Sequence, residues 1–198
     1  GDHDGLVVAA AQARHRLLEA VRRFSLEFPV ELSIVGDGPM REEWQNLAKE
    51  LGLDRIAEFH GNLSLPEISE KMQDCHVFCL PSVRESGGAV LLEAMAAARP
   101  VIAVAYGGPK EIVDGEVGKA ITPNGSEAVI FGFYDAFCSI LANPSKWQNR
   151  GKAGRKRAEK LFGWEAKIDS VIELYKKTLV EPKPQFEKSA EVKNWAIN

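Results

Sequence analysis

Residues His76–Tyr106 read HVFCLPSVRESGGAVLLEAMAAARPVIAVAY: an apolar run, a polar turn with two glycines, an alanine-rich segment and a second apolar run. Both runs, His76–Ser82 and Pro100–Tyr106, are continuously apolar rather than alternating. That pattern suits strands buried on both faces of a parallel sheet. The segment between them, Gly87–Ala98, carries Val90, Leu91, Ala94, Met95 and Ala98 at helical spacing, which predicts a helix packed by one stripe. A helix joining two such strands is a βαβ unit.

The same alternation extends in both directions. Strands are predicted at Leu6–Ala10, Val30–Gly36, Ile56–Gly61 and Gly118–Thr122. Between them GPMREEWQNLAKELG has Pro39 in a first-turn position and Gly52 as a stop. SLPEISEKM offers Ser64 as N-cap with Glu67 at the capping-box spacing. A short turn is expected from Lys110, then helices at Ser126–Ala142, Pro144–Leu161 and Trp164–Thr178. The predicted fold is a doubly wound, Rossmann-like parallel α/β sheet, with a domain over residues 1–178 and a polar tail over 179–198. Such sheets bind ligands at the carboxyl ends of their strands. Here that selects VGDGPM, PSVRESGG and YGGPKE.

Composition removes several classes. Among 198 residues there are 25 Lys+Arg against 28 Asp+Glu, a net charge of −3, so no nucleic-acid partner is expected. No apolar run is expected to reach the ~20 residues of a membrane span, and no signal-peptide pattern opens the chain. Three cysteines without a C-x-x-C argue against a disulfide framework and a zinc site, and place the protein in a reducing, cytoplasmic compartment. Cys75, His76 and Cys79 fall along a predicted buried strand and read as core. The abrupt start, GDHDG, suggests a fragment.

The chemistry concentrates at RESGG. Gly87 and Gly88 let a ligand approach the backbone, and the following helix start offers N–H groups and partial positive charge to a phosphate. Glu85 precedes this site, and Glu93 is expected two turns into the helix, off its apolar stripe. Taken singly, Glu85 reads first as an ordinary charge that suits a helix start and Glu93 as a solvated helix residue. As a pair astride a phosphate site they match the layout of a nucleotide-sugar. The basic run Lys146–Lys160 reads either as a solvated helix face or as a contact for anionic lipid.

The wider string VFCLPSVRESGGAVLLEAMAAARPVIAVAYGGPKEIVDGEVGKAI resembles the signature region of the family 4 glycosyltransferases, retaining enzymes of the GT-B fold. LSIVGDGPM, EFHGN and LFGWE resemble further segments of that family, so the likeness runs from about Leu17 to Thr178. It implies that Glu85 contacts the donor sugar, as the residue nearest the chemistry, and that Glu93 binds the ribose. At the glycine-rich YGGPKE junction, read by itself, Gly107 and Gly108 either border the sugar or serve the turn alone. The resemblance further implies that amides of Ser86, Gly87, Gly88 and Ala89 lie against sugar and phosphate and that Asn62 and Leu63 hold the base. It implies no metal and no cofactor: the nucleotide-sugar is a substrate, with a UDP-sugar favoured over a GDP-sugar. The acceptor is a glycan or lipid-linked molecule, reached through an N-terminal domain, with peripheral contact at the inner face of a membrane.

This sequence departs from the family pattern in three places. E-S-G-G replaces E-G-F-G, and Ala98 replaces a glycine. The family's Arg and Lys after the first strand fall, by counting, on Leu6 and Gln12, with Arg14, His15 and Arg16 nearby. All matched motifs belong to the donor-binding half of the GT-B fold, so the chain is expected to be that half and inactive alone. A non-catalytic donor domain is the alternative. A dinucleotide-dependent dehydrogenase fits the sheet but lacks G-x-G-x-x-G at the first turn.

Overall fold

The computed structural model describes residues 5–10, 15–82 and 87–180. Six parallel strands, β1 (Leu6–Ala10), β2 (Val30–Val35), β3 (Ala57–Gly61), β4 (Val77–Leu80), β5 (Val101–Val104) and β6 (Gly118–Ile121), form one sheet in the order β3-β2-β1-β4-β5-β6. The helices are α1 (His15–Ser25), α2 (Arg41–Glu50), α3 (Leu65–Asp74), α4 (Ala89–Ala96), α5 (Gly108–Ile112), α6 (Gly125–Ala142), α7 (Pro144–Phe162) and α8 (Trp164–Val180). The doubly wound, Rossmann-like sheet expected from the sequence is therefore present. The chain winds outward one way from β1 and the other way from β4, so its topology reverses between these two neighbours. The described chain divides after Phe162, and α8 belongs to a second unit. Taken alone, α8 exposes Trp164, Ile168, Tyr175 and Leu179.

Every residue of β1, β4 and β5 is buried, as continuous apolarity requires. The outer strands differ from that expectation. In β2 burial alternates, with Glu31 exposed and Ser33 half-buried, and in β3 Glu58 is exposed. The cause is the placement of α3. Its Met72 packs with Val7 and Ala9 of β1, which leaves the same face of β2 and β3 under an open groove of about 440 Å³ bordered by Lys71 and Asp74.

Each sheet face carries its own core. On one, Leu17, Val21 and Phe24 of α1 and Phe133 and Phe137 of α6 cover Val8, Leu32, Cys79 and Ile102. Phe24 meets Phe137 edge-on at 5.6 Å between ring centres, a favoured aromatic geometry. On the other face, Leu91, Ala94 and Met95 of α4 lie with Phe78, Leu80 and Ala103. Contrary to the sequence expectation, α6 is long and apolar enough to cross a membrane. It is a core helix instead: Val129, Ile130, Phe133, Phe137 and Ile140 are all buried within the first core.

Helix ends match the sequence where a side chain enforces them and shift where only the backbone decides. At α3 the Ser64 N–H and hydroxyl donate to Glu67 Oε2 at 2.7 and 2.5 Å, the expected capping box. Pro39 lies outside α2, whose N-cap is Met40, and Gly52 sits one residue past the C-cap at φ 71°. The predicted Gly87–Ala98 helix is shorter at both ends. Gly88 is its N-cap at φ 68°, and Ala98 follows the C-cap at φ 58°. Ala98 N–H donates to Met95 O and Arg99 N–H to Ala94 O, both at 2.9 Å. This is the Schellman pattern, which usually places glycine where Ala98 stands.

Helix α7 seats closely against α4. A Cβ at Gly151 would fall 2.1 Å from Ala98 O, and one at Gly154 would fall 3.2 Å from Met95 Cγ. Arg157 clamps the other side, with Nη1 2.9 Å from Asp114 and Nη2 2.8 Å from Glu116. Two substitutions separate these effects in urea unfolding. Ala98→Gly relieves the left-handed strain and is expected to stabilise by about 1 kcal/mol. Gly151→Ala drives a methyl into backbone and is expected to destabilise by about 1–3 kcal/mol.

Candidate functional site

The reversal between β1 and β4 opens a crevice at the carboxyl edge, because the connections leaving these strands run to opposite sides of the sheet. After β4, Pro81 and Ser82 are buried, and residues 83–86 lie outside the described residues, so Glu85 and Ser86 fall there. Gly87 is exposed, and among the described residues, its chain neighbours aside, nothing lies within 4 Å of where its Cβ would stand, so a side chain does not cover the backbone on that side. Gly88 has a different role. It is buried, and a Cβ there would lie 3.3 Å from Leu91 and Ile112 and 3.5 Å from Pro109. Its glycine serves the left-handed turn and the packing of α4 on α5, rather than ligand approach.

Because α4 begins at Ala89, Glu93 lies one turn into the helix, not the two expected. Its Cα is about 6 Å along the axis from Ala89 at ~1.5 Å per residue. Glu93 is exposed and borders a cleft of about 670 Å³ between α3 and α4, with Leu65, Ile68, Ser69 and Arg99 among its walls. It is thus off the buried stripe of Leu91, Ala94 and Met95, as the spacing predicted.

Asn62, exposed, and Leu63, half-buried, follow β3 at the same carboxyl edge. Their loop is fixed at both ends. The Ser64–Glu67 capping box closes one end. At the other, Arg41 donates to Phe59 O at 3.1 Å, lies against Gly61 and approaches Asp37 at 3.5 Å. Gly36 N–H donates to Gly61 O at 2.8 Å, so VGDGPM braces this loop. Gly36 has φ 122°, the positive-φ glycine that a tight-turn reading of VGDGPM requires. Arg41 is not among the residues that the sequence motifs select. Its signal was the Asp37–Arg41 spacing at the start of a helix.

After β5, Tyr106 is exposed, Gly107 holds φ 58° and ψ −140°, and Gly108 opens α5. Only glycine tolerates the Gly107 conformation readily. Gly88 and the β5–α5 connection meet through Pro109 and Ile112, which joins the second and third predicted junctions.

The counted register after β1 is corrected at one position. Leu6 is the buried first residue of β1, paired with Val30 at the amino end of the sheet, and so is remote from the crevice. Gln12 and Arg14 lie outside the described residues. His15 and Arg16 open α1, and Arg16 carries a buried Nε with no hydrogen-bond partner among the described residues.

Cys75 and Cys79 are buried in the core, as read, but His76 is not: it precedes β4 and is exposed, and Cys138 on α6 is half-buried. His76 Nδ1 accepts from Val7 N–H at 2.9 Å. Burial pushes the Cys75 thiol up to about 11 and raises Cys79 well above its ordinary value. Among the described residues, no three His, Cys, Asp or Glu side chains gather as a metal site.

The fold and its carboxyl-edge crevice define a Rossmann-like half of a GT-B architecture. The family Glycosyl transferases group 1 matches residues 8–157, and the chain belongs to that family. It is 30% identical over 165 residues to the MMP alpha-(1->4)-mannosyltransferase of Mycolicibacterium hassiacum, covering 82% of this chain and 39% of that one. Sucrose-phosphate synthase from Thermosynechococcus elongatus superposes with a TM-score of 0.72 at 29% identity, covering 89% of this chain and 46% of that one. Anabaena HepE, in complex with UDP-glucose, superposes with a TM-score of 0.74 at 23% identity, covering 88% and 49%. The chain therefore spans about two-fifths of the mannosyltransferase and just under half of each structural relative.

Two measurements test the site's scaffold. Gly88→Ala puts a side chain into left-handed backbone and is expected to cost about 1–2 kcal/mol of stability. His60, 2.6 Å from Ser33 Oγ, is held below its ordinary 6.5 by burial, with nearby Glu58 opposing. The folded state thus binds the proton less readily, so stability is present above pH 6.5 and is lost as pH falls below it. The thermal midpoint should drop between pH 7.5 and 5.5, and His60→Gln should shrink that drop.

Proposed function

We propose that this chain is the donor-binding half of a retaining, metal-independent glycosyltransferase that moves a hexose from a nucleotide-sugar to a glycan or lipid-linked acceptor. One observation carries the reading. The exposed Gly87 backbone and the start of α4 stand at the topological switch point, with exposed Glu93 one turn below, bordering the α3–α4 cleft. A helix start there stabilises a diphosphate through its N–H groups and dipole, the task a bound cation performs elsewhere.

In this reading the first-turn amides of α4 take the leaving diphosphate, and the Glu93 carboxylate accepts from the ribose hydroxyls. The Asn62–Leu63 backbone borders the base, and Glu85 orients the hexose. An acceptor hydroxyl attacks the anomeric carbon on the leaving-group side, which retains configuration. The protein contributes positioning and stabilises charge as it develops on the diphosphate. Arg16, in the first turn of α1 beside the switch point and with its buried Nε unpartnered among the described residues, stands in for the family's basic residues after the first strand. The acceptor site belongs to a partner domain.

The basic helix supports a contact with the inner face of a membrane. Arg150 donates to Gly115 O, Arg155 pairs with Glu159 and Arg157 with Asp114 and Glu116. Lys152, Lys156 and Lys160, exposed at successive turns, remain available to anionic headgroups.

Calorimetric titration with UDP, GDP and ADP, with and without EDTA, tests the donor reading; HepE makes UDP the first probe. One nucleotide should bind saturably regardless of EDTA. Glu93→Ala removes a hydrogen bond to a charged group and should weaken that nucleotide about tenfold or more. No binding by any of the three to folded protein overturns the reading.

A further inference from the structure

We infer that Tyr106 is the platform for the sugar ring of the donor, the residue by which this domain tells a nucleotide-sugar from its bare nucleotide. That role rests on the donor reading above and extends it to the β5–α5 turn.

The sheet itself sets the direction in which the ligand lies. Strands run β3-β2-β1-β4-β5 at ~4.8 Å spacing, so the loop after β3 is roughly 14 Å from the crevice at β4. A base at the β3 loop and a diphosphate at the start of α4 fill that span. The sugar, attached at the far side of the diphosphate, extends away from β3 and over the end of β5, where Tyr106 stands.

Tyr106 is 56% exposed there, while Pro109, three residues on, is buried. Its N–H donates to Val104 O at 2.8 Å, and Gly107 beside it holds a conformation that other residues resist. The turn is therefore stiff. It is also tied to the phosphate site, because Pro109 and Ile112 pack where Gly88 lacks a side chain.

A pyranose presents an apolar C–H face, and a phenol ring offers it a rigid flat surface with a polar tip. A diphosphate offers no such face, so the ring should discriminate between them. The other exposed aromatic described before residue 163, Phe131, lies on α6, away from the carboxyl-edge turns.

The test compares the wild-type chain, Tyr106→Ala and Tyr106→Phe by calorimetry against UDP and UDP-glucose, GDP and GDP-mannose, and ADP and ADP-glucose. For the pair the wild type binds, Tyr106→Ala should weaken the nucleotide-sugar about five- to tenfold while leaving the nucleotide within about twofold. Tyr106→Phe should keep wild-type affinity for both. Equal weakening of sugar-bearing and bare nucleotide, or no weakening of either, overturns the role of Tyr106 and leaves the donor reading intact. Failure of the wild type to bind any of the six overturns the donor reading and this inference together.

Discussion

The pairing of β1 with β4 is the constraint on which the rest of the structure depends. Val8, Ala9 and Ala10 lie opposite Val77, Phe78 and Cys79, and all are buried. Backbone N–H and C=O groups at that depth need partners, and a parallel ladder supplies them without exposing either face. Once these two strands are neighbours, their connections must leave in opposite senses. The crevice at their carboxyl ends is therefore a consequence of core formation and needs no separate binding-site architecture. The apolar runs that close the core thus also decide where a ligand can lie.

Much of this was legible from the residues. All six strands were found within one or two residues at each end, because β-branched and apolar runs bounded by glycine or proline have few alternatives. The Ser64–Glu67 cap was legible because two side chains specify it. The start of α4 was less so. Leucine and alanine periodicity does not reveal that Gly88 takes a left-handed conformation, and so the turn count to Glu93 was one too many. The half-open outer strands were missed for a different reason. Nothing local in VELSIV states that α3 will pack over β1 rather than over β2.

At the site, sequence spacing identified which junctions matter, and the fold supplied their order along the sheet edge. Gly88, chosen as a place for ligand approach, proved to be where two helices meet, whereas of the two glycines Gly87 is the one whose Cβ position meets none of the described side chains. Leu6 shows the limit of counting through a loop of unknown length, since the register placed an intended phosphate ligand at the far end of a buried strand. Arg16 was one of three neighbouring candidates that counting could not separate, and Arg41 was passed over because its spacing from Asp37 also suits an ordinary helix-start ion pair. Only the contact with Gly61 and the unpaired Nε distinguish them.

The seating of α7 on α4 has a consequence for how this domain can change. Gly151 and Gly154 bring the two helices together with no slack, and the Arg157 clamp holds α7 against Asp114 and Glu116. The carboxy-terminal part of α4, from Met95 to Ala98, is therefore pinned between the sheet and α7 and cannot shift outward without opening that seam. Change in the domain is then channelled away from that seam and into exposed positions of the carboxyl-edge connections, such as Asn62 after β3 and Tyr106 after β5. Side chains there can be exchanged at little cost to the core, whereas Gly107 is held by its conformation, so the frame is invariant and only its exposed lip is interchangeable.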